Sequence, residues 1–165
     1  MIILGIDPGT ATTGFGIIKE GKNNIEVIDY GCIITTPDMS DGNRLKLIHN
    51  KLTKLIKEHR PDVLAVERLF FFKNLKTAMP VSQAKGVILL TAAKKNIPIY
   101  EYTPLQMKMA IAGYGKAEKK QVQQMIKAQL NLEERPDDKN KRKDDATDAL
   151  GIAMCYAIES GIITS

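Results

Sequence analysis

Two carboxylates in this chain stand where ordinary surface acids do not: Asp7 closes the apolar run Ile2-Ile3-Leu4-Gly5-Ile6, and Glu67 closes Val63-Leu64-Ala65-Val66. If a crossover makes neighbours of those two runs, both acids project into one cleft, where like charges raise each other's pKa unless a cation neutralises them. Asp145 and Asp148 are three residues apart at the start of the last helical pattern and share one face of its first turn, whereas Asp144 points elsewhere. An all-oxygen donor set without a His/Cys cluster suits a hard divalent ion, Mg²⁺ before others, with Mn²⁺ as a substitute. Four converging carboxylates fit two ions about 3.5–4 Å apart, which activate a water and stabilise the leaving oxygen in phosphodiester hydrolysis. Each acid also has a plainer reading. Asp7 is placed to cap the Pro8-Gly9 turn, Glu67 to pair with Arg68, and Asp145 and Asp148 to sit favourably at a helix amino end.

A site of this kind needs strand ends and a helix face brought together, and the chain supplies both. Ile2 to Asp7 and Gly14 to Ile18 flank a Gly/Thr-rich loop and read as a hairpin; after the turn at 21–24, Ile25 to Thr35 reads as a third antiparallel strand. Leu45, Ile48, Leu52, Leu55 and Ile56 recur at helical spacing from Ser40 until Pro61. Val63 to Glu67 follows that crossover helix and is therefore read as a parallel strand covered on both faces. A loop through Phe70-Phe71-Phe72-Lys73-Asn74 leads to a helix from Thr77 to Asn96, with Pro80 in its first turn, and then to a strand from Ile97 to Tyr102. Thr103-Pro104 starts a helix that ends at Gly113, another helix runs from Ala117 to Leu130, and a polar loop, 133–143, precedes the last helix, Asp144 to Glu159. This order predicts an α/β fold: one domain over residues 1–165, with a five-stranded mixed β-sheet flanked by α-helices on both faces. Asp7 and Glu67 then lie beyond the carboxyl ends of parallel strands, where sites form in open sheets.

Composition narrows the function classes. With 165 residues, 44% hydrophobic and 26% charged, the chain fits a single soluble domain. No apolar run approaches the ~20 residues of a membrane helix. The first residues lack the basic flank of a signal peptide, so the expectation is a cytoplasmic protein. Cys32 and Cys155 stand far apart, outside any CxxC pattern, and are read as buried small hydrophobes; His49 and His59 are read as surface residues and the methionines as core filler. A net charge of +5 permits a polyanionic partner. Its bases cluster at Lys116, Lys119, Lys120 and Lys127 and at Lys139, Lys141, Arg142 and Lys143, although lysines alternating with Glu118 and Gln121 also describe a solvated helix face.

The segments ILGIDPGTATTGFGII (3–18), VERLFFFKN (66–74), SQAKGV (82–87), Gly113 to Lys119 and DDATDALGIA (144–153) together resemble the RuvC family of bacterial Holliday-junction resolvases, in the ribonuclease H-like superfamily, over almost the whole chain. The resemblance implies a structure-selective, metal-dependent DNA endonuclease of recombination and repair. By it, Asp7, Glu67, Asp145 and Asp148 match the catalytic metal-binding acids, and Lys108 and Lys119 match bases used at the scissile phosphate. Phe70 falls where the family carries an aromatic near the junction centre. Lys73, Lys76, Lys116, Lys120, Lys141, Arg142 and Lys143 are expected to contact DNA. The family implies a homodimer on a four-way junction, beside the RuvA-RuvB branch-migration complex, and the helix with Ala84, Gly86, Ala92 and Ala93 is the expected dimer contact. Relative to the family pattern the 133–143 loop is longer and more basic, and the stretch after the last helix is short, so no carboxyl-terminal tail contact is expected. Three rival readings stand beside this one: a related nuclease acting on RNA, a non-catalytic nucleic-acid-binding module, and an ATPase of the actin and sugar-kinase type. The last is suggested by Asp7-Pro8-Gly9-Thr10 with Thr13-Gly14, but the chain has no second Asp-Gly-Gly loop.

Overall fold

The computed structural model describes residues 1–21, 24–69, 75–132 and 142–162, with the backbone alone described for 75–77 and 142–143. β1 (Ile2–Asp7), β2 (Thr12–Glu20) and β3 (Ile25–Ile34) form an antiparallel meander. β4 (Val63–Glu67) joins the other edge of β1 in parallel, and β5 (Ile99–Tyr102) joins β4 in parallel, giving the order β3-β2-β1-β4-β5. The helices are α1 (Asp41–His59), α2 (Leu75–Ala93), α3 (Pro104–Ala112), α4 (Lys119–Gln129) and α5 (Arg142–Glu159). The expected mixed sheet with helices on both faces is what forms.

Alternation along the strands decides which helices meet which side chains. Leu4, Ile6, Leu64 and Val66 face α1 and α2, where Ile48, Leu52, Ile88 and Ala92 cover them. Ile3, Val63 and Ala65 face the opposite way, into a core completed by Ile111, Val122, Ile126, Leu150 and Ala153 of α3, α4 and α5. Asp7 and Glu67 continue the second set, so they emerge on the side that α5 covers. That helix lies unusually close to the sheet. A Cβ built at Gly5 would strike the carbonyl of Ala149, and one at Gly14 would strike the carbonyl of Asp145. Glycine at these two positions is what lets the backbone of α5 settle against β1 and β2.

Several boundaries differ from the sequence expectation. α2 begins at Leu75, which puts Pro80 in its second turn; the interruption stays near the helix end, where it removes a single backbone hydrogen bond. Ile97 is no strand residue: its N–H donates to Ala92 O (3.1 Å) behind Asn96, whose φ of 55° closes α2 as a left-handed cap, and β5 starts only after Pro98. α5 begins at Arg142, so the end of the basic run is helical and Asp148 belongs to the second turn. The start of α3 is as expected, with Thr103 and Gln106 forming a reciprocal capping box. Cys155 is buried, but Cys32 is half-buried. His49 and His59 are half-buried as well: His49 Nδ1 meets Thr91 Oγ1 at 2.8 Å, tying α1 to α2, and His59 Nε2 lies 3.6 Å from Asp29 Oδ2. Met154 is core, whereas Met79 and Met109 are exposed. Among the described residues no helix is long and apolar enough to cross a membrane.

Candidate active site

The parallel register pairs Ile6 with Val66, so the next residue on each strand, Asp7 and Glu67, emerges side by side on one face. The two carboxyls share a hydrogen bond. Burial, then the charges of Glu67 and Asp148, push Asp7 up to about 9, so it holds the proton that Glu67 accepts. Burial also raises Glu67, and Asp148 adds to this, while the bond from Asp7 and the charges of Lys119 and Lys85 pull the other way.

The close seat of α5 brings in the other acids. Asp7, Asp145 and Asp148 each offer a carboxylate oxygen, and these lie within 4.8 Å of one another. Glu67 stands beside this trio through Asp7. Asp148 is buried and held on both oxygens: Gln123 Nε2 donates to Oδ1 (2.9 Å) and Lys119 Nζ to Oδ2 (2.6 Å). Burial alone would lower Lys119, but the bond to Asp148 and the charges of Asp148, Asp7 and Asp145 prevail and raise it. A cleft of ≈ 390 Å³ opens over Asp7, Glu67 and Asp148, with Lys108 and Lys119 on its walls.

The plainer readings fail on geometry for Asp7, Glu67 and Asp148, whereas Asp145 does lie in the first turn of α5, where the helix dipole favours an acid. Arg68 does not pair with Glu67; its Nε lies 3.6 Å from Glu101 Oε2, which also accepts from Lys85 Nζ (2.7 Å). Near Pro8-Gly9 it is the Thr13 hydroxyl that binds the Gly9 carbonyl (2.6 Å), while Asp7 turns to Glu67. Asp148, a turn beyond the amino end of α5, owes its position to Gln123 and Lys119 rather than to the helix dipole. The donors suit a divalent cation. They are all hard oxygens, and burial together with the neighbouring acids raises Asp7, a cost that a metal ion's charge would offset.

Lys108 sits in the middle of α3, on the wall of the cleft. Lys119 is the first residue of α4. Lys116 and Lys120 are exposed nearby. Phe70, Phe71, Phe72, Lys73 and Lys141 lie outside the described residues, as does the 133–141 part of the basic loop. Of Lys76, Arg142 and Lys143 the backbone alone is described: Lys76 is in the first turn of α2, and the other two open α5. Gln123 escaped the sequence reading; its signal is an amide next to Val122 on the buried side of an amphipathic helix.

A family model described as "Crossover junction endodeoxyribonuclease RuvC" matches residues 3–156. The chain belongs to the RuvC family. The RuvC of Alkaliphilus metalliredigens is 55% identical over 157 residues, which cover 95% of this chain and 93% of that one. Among solved structures, Thermus thermophilus RuvC matches with a TM-score of 0.86 and 32% identity over 98% of this chain and 96% of that chain. T. thermophilus RuvC in complex with Holliday junction substrate matches with the same TM-score and identity, over 97% of this chain and 94% of that chain. RuvC membership makes the chain a crossover junction endodeoxyribonuclease with the ribonuclease H-like fold, and the ATPase and binding-module readings fall away.

Proposed function

We propose that this enzyme resolves four-way DNA junctions by metal-dependent phosphodiester hydrolysis at Asp7, Glu67, Asp145 and Asp148, as a homodimer that nicks two symmetric strands. The observation that carries the site is the convergence of Asp7, Asp145 and Asp148 from a strand end and a helix whose common seat is set by Gly5 and Gly14. Asp7, Glu67, Asp145 and Asp148 are the residues to hold the metal, with Mg²⁺ the ion their oxygens favour. When bound, such an ion supplies an activated water and Lewis acidity at the phosphoryl oxygen.

The chain's own residues do the rest. Were an ion bound there, Asp7 would have passed its proton to solvent, and Glu67, no longer accepting from it, would have that oxygen available to hold the ion. Gln123 fixes Asp148 from behind, so the Lys119 ammonium can leave Asp148 for a phosphate without the carboxylate swinging away. Lys108, on the wall of the same cleft, adds a second positive charge where the phosphate gains charge in the transition state. Lys73, Lys76, Lys116, Lys120, Lys141, Arg142 and Lys143 are proposed to hold the DNA arms through phosphates, and Phe70 to stack on bases unpaired at the crossover.

Two symmetric cuts call for two copies of the site about a two-fold axis. α2 offers the face for it. Met79, Gln83, Gly86, Leu90 and Ala93 are exposed at alternating spacings of four and three, the seam pattern of paired helices, and nothing crowds Gly86. Ala84 and Ala92, expected on this contact, are buried toward the sheet instead, one helical position away. We place the dimer in the cytoplasm beside the RuvA-RuvB branch-migration complex that the family resemblance implies. A synthetic four-way junction incubated with the protein, with and without Mg²⁺, tests the function. Metal-dependent paired nicks on the junction, with duplex and single-strand controls uncut, are expected; a duplex cut as readily as the junction would contradict it.

A further inference from the structure

The acid cluster borders two hollows. Asp7 and Asp148 line the cleft with Lys108 and Lys119, whereas Asp145 also lines a second hollow of ≈ 420 Å³, walled by residues 9–12, Arg44 and Pro80. A DNA strand with its scissile phosphate at the acids carries further phosphates to either side. On the cleft side Lys108 and Lys119 meet them; in the second hollow the base lining the wall, among the described residues, is Arg44.

Arg44 is built to receive an anion. Its Nε donates to Thr35 Oγ1 (2.9 Å), and the Thr35 hydroxyl donates in turn to the carbonyl of Thr10 (2.6 Å), so the guanidinium is anchored to the loop that follows Asp7. One donor is used by that anchor, and the exposed Asp38 carboxylate is close enough to feel the Arg44 charge; the other N–H donors of the planar fork have the geometry that grips phosphate in two places. On the same wall the Thr10 hydroxyl is enclosed without a hydrogen-bond partner among the described residues, a donor that an anionic oxygen would satisfy. A phosphate beside Asp145 is repelled unless a cation faces it, and an anchored arginine supplies that charge with little loss of side-chain freedom.

We propose that this hollow is a second phosphate subsite, in which Arg44 holds a phosphodiester flanking the scissile one on the cleaved strand. The subsite fixes which way the strand crosses the acids, since its two sides present different cations. It rests on the acid cluster being the cutting site.

The test is equilibrium binding of a four-way junction without metal, read for wild type, Arg44→Ala and Arg44→Lys, with phosphates near the cut replaced one at a time by uncharged methylphosphonates. For wild type, one flanking replacement should weaken binding about 5–10-fold; in Arg44→Ala the same replacement should add nothing, while replacements elsewhere keep their effect. The salt dependence of Arg44→Ala should fall by about one phosphate contact, and Arg44→Lys should restore part of it. Effects that multiply independently at every phosphate overturn the subsite. So does an Arg44→Ala loss of binding that tracks a fall in melting temperature while the salt slope stays unchanged. A wild type that ignores every replacement near the cut would instead overturn the placement of the scissile strand on the acids.

Discussion

The proton on Asp7 makes the metal-free enzyme sensitive to pH in a direction opposite to that of most acidic residues. Asp7 is pushed up to about 9 in the fold from 3.8 in an open chain. A group raised in this way stabilises the fold fully below its unfolded pKa, and that contribution drains away as pH rises toward the folded value, at about 1.4 kcal/mol per unit. From pH 6 to pH 8 the loss reaches up to about 2.7 kcal/mol. Asp7→Asn removes it: asparagine is neutral at every pH and can still donate to Glu67 as the protonated acid does. In EDTA, Asp7→Asn should therefore melt above wild type, and the gap should widen by up to about 5–11 °C between pH 6 and pH 8, at roughly 2–4 °C per kcal/mol for a chain of this size. Saturating Mg²⁺ should narrow or reverse the gap, because the ion stabilises the fold that binds it and wild type keeps the full ligand set. Differential scanning fluorimetry in buffers matched for ionic strength is sufficient. Melting temperatures that run parallel with pH, or an Asp7→Asn protein less stable than wild type at pH 8 in EDTA, would refute the crowding of acids on which the metal site rests.

Other expectations follow from the same geometry. Glu67→Gln, Asp145→Asn and Asp148→Asn should each lower junction cleavage at least 100-fold while changing metal-free binding less than about threefold, and Asp144→Asn should do neither; gel cleavage beside anisotropy titration separates the two. Lys119→Ala and Lys108→Ala should reduce the single-turnover rate more than the affinity, since their charge matters most as the phosphate gains charge. Gly14→Ala should lower stability by about 1–3 kcal/mol through overpacking and weaken Mg²⁺ binding as well, because the new methyl displaces the backbone of Asp145; a folded variant with normal metal affinity would argue against glycine as the seat of α5. Leu90→Lys, on the exposed seam of α2, should shift sedimentation from dimer toward monomer.

The architecture was legible because strand and helix periods in this chain are clean. Val63 to Val66 suited a strand buried on both sides, which is what forms, but the shared face of Asp7 and Glu67 comes from the register that pairs Ile6 with Val66, since a one-residue slip would turn the two acids apart. What periodicity does not carry is the cap chemistry around Asn96, which hides a helix end in an apparent strand, and the start of α5 inside a basic run that reads as loop. Asp145 and Asp148 were legible as acids, but their distance from Asp7 depends on glycines in other elements, a contact between backbones that side-chain patterns do not show. Gln123 and Arg44 were missed for a related reason: each looks like an ordinary polar residue on an amphipathic helix, and its meaning comes from what stands opposite, Asp148 in one case and the loop after Asp7 in the other.

The central claim is that four acids, from β1, β4 and α5, hold the metal that cuts the junction. A crystal soaked in Mn²⁺ and measured at the manganese absorption edge locates the ion without reference to activity. Anomalous peaks among Asp7, Glu67, Asp145 and Asp148, absent when Asp148→Asn is soaked in the same way, are the predicted result; an empty cluster in the wild type, with manganese bound elsewhere on the chain, would contradict it.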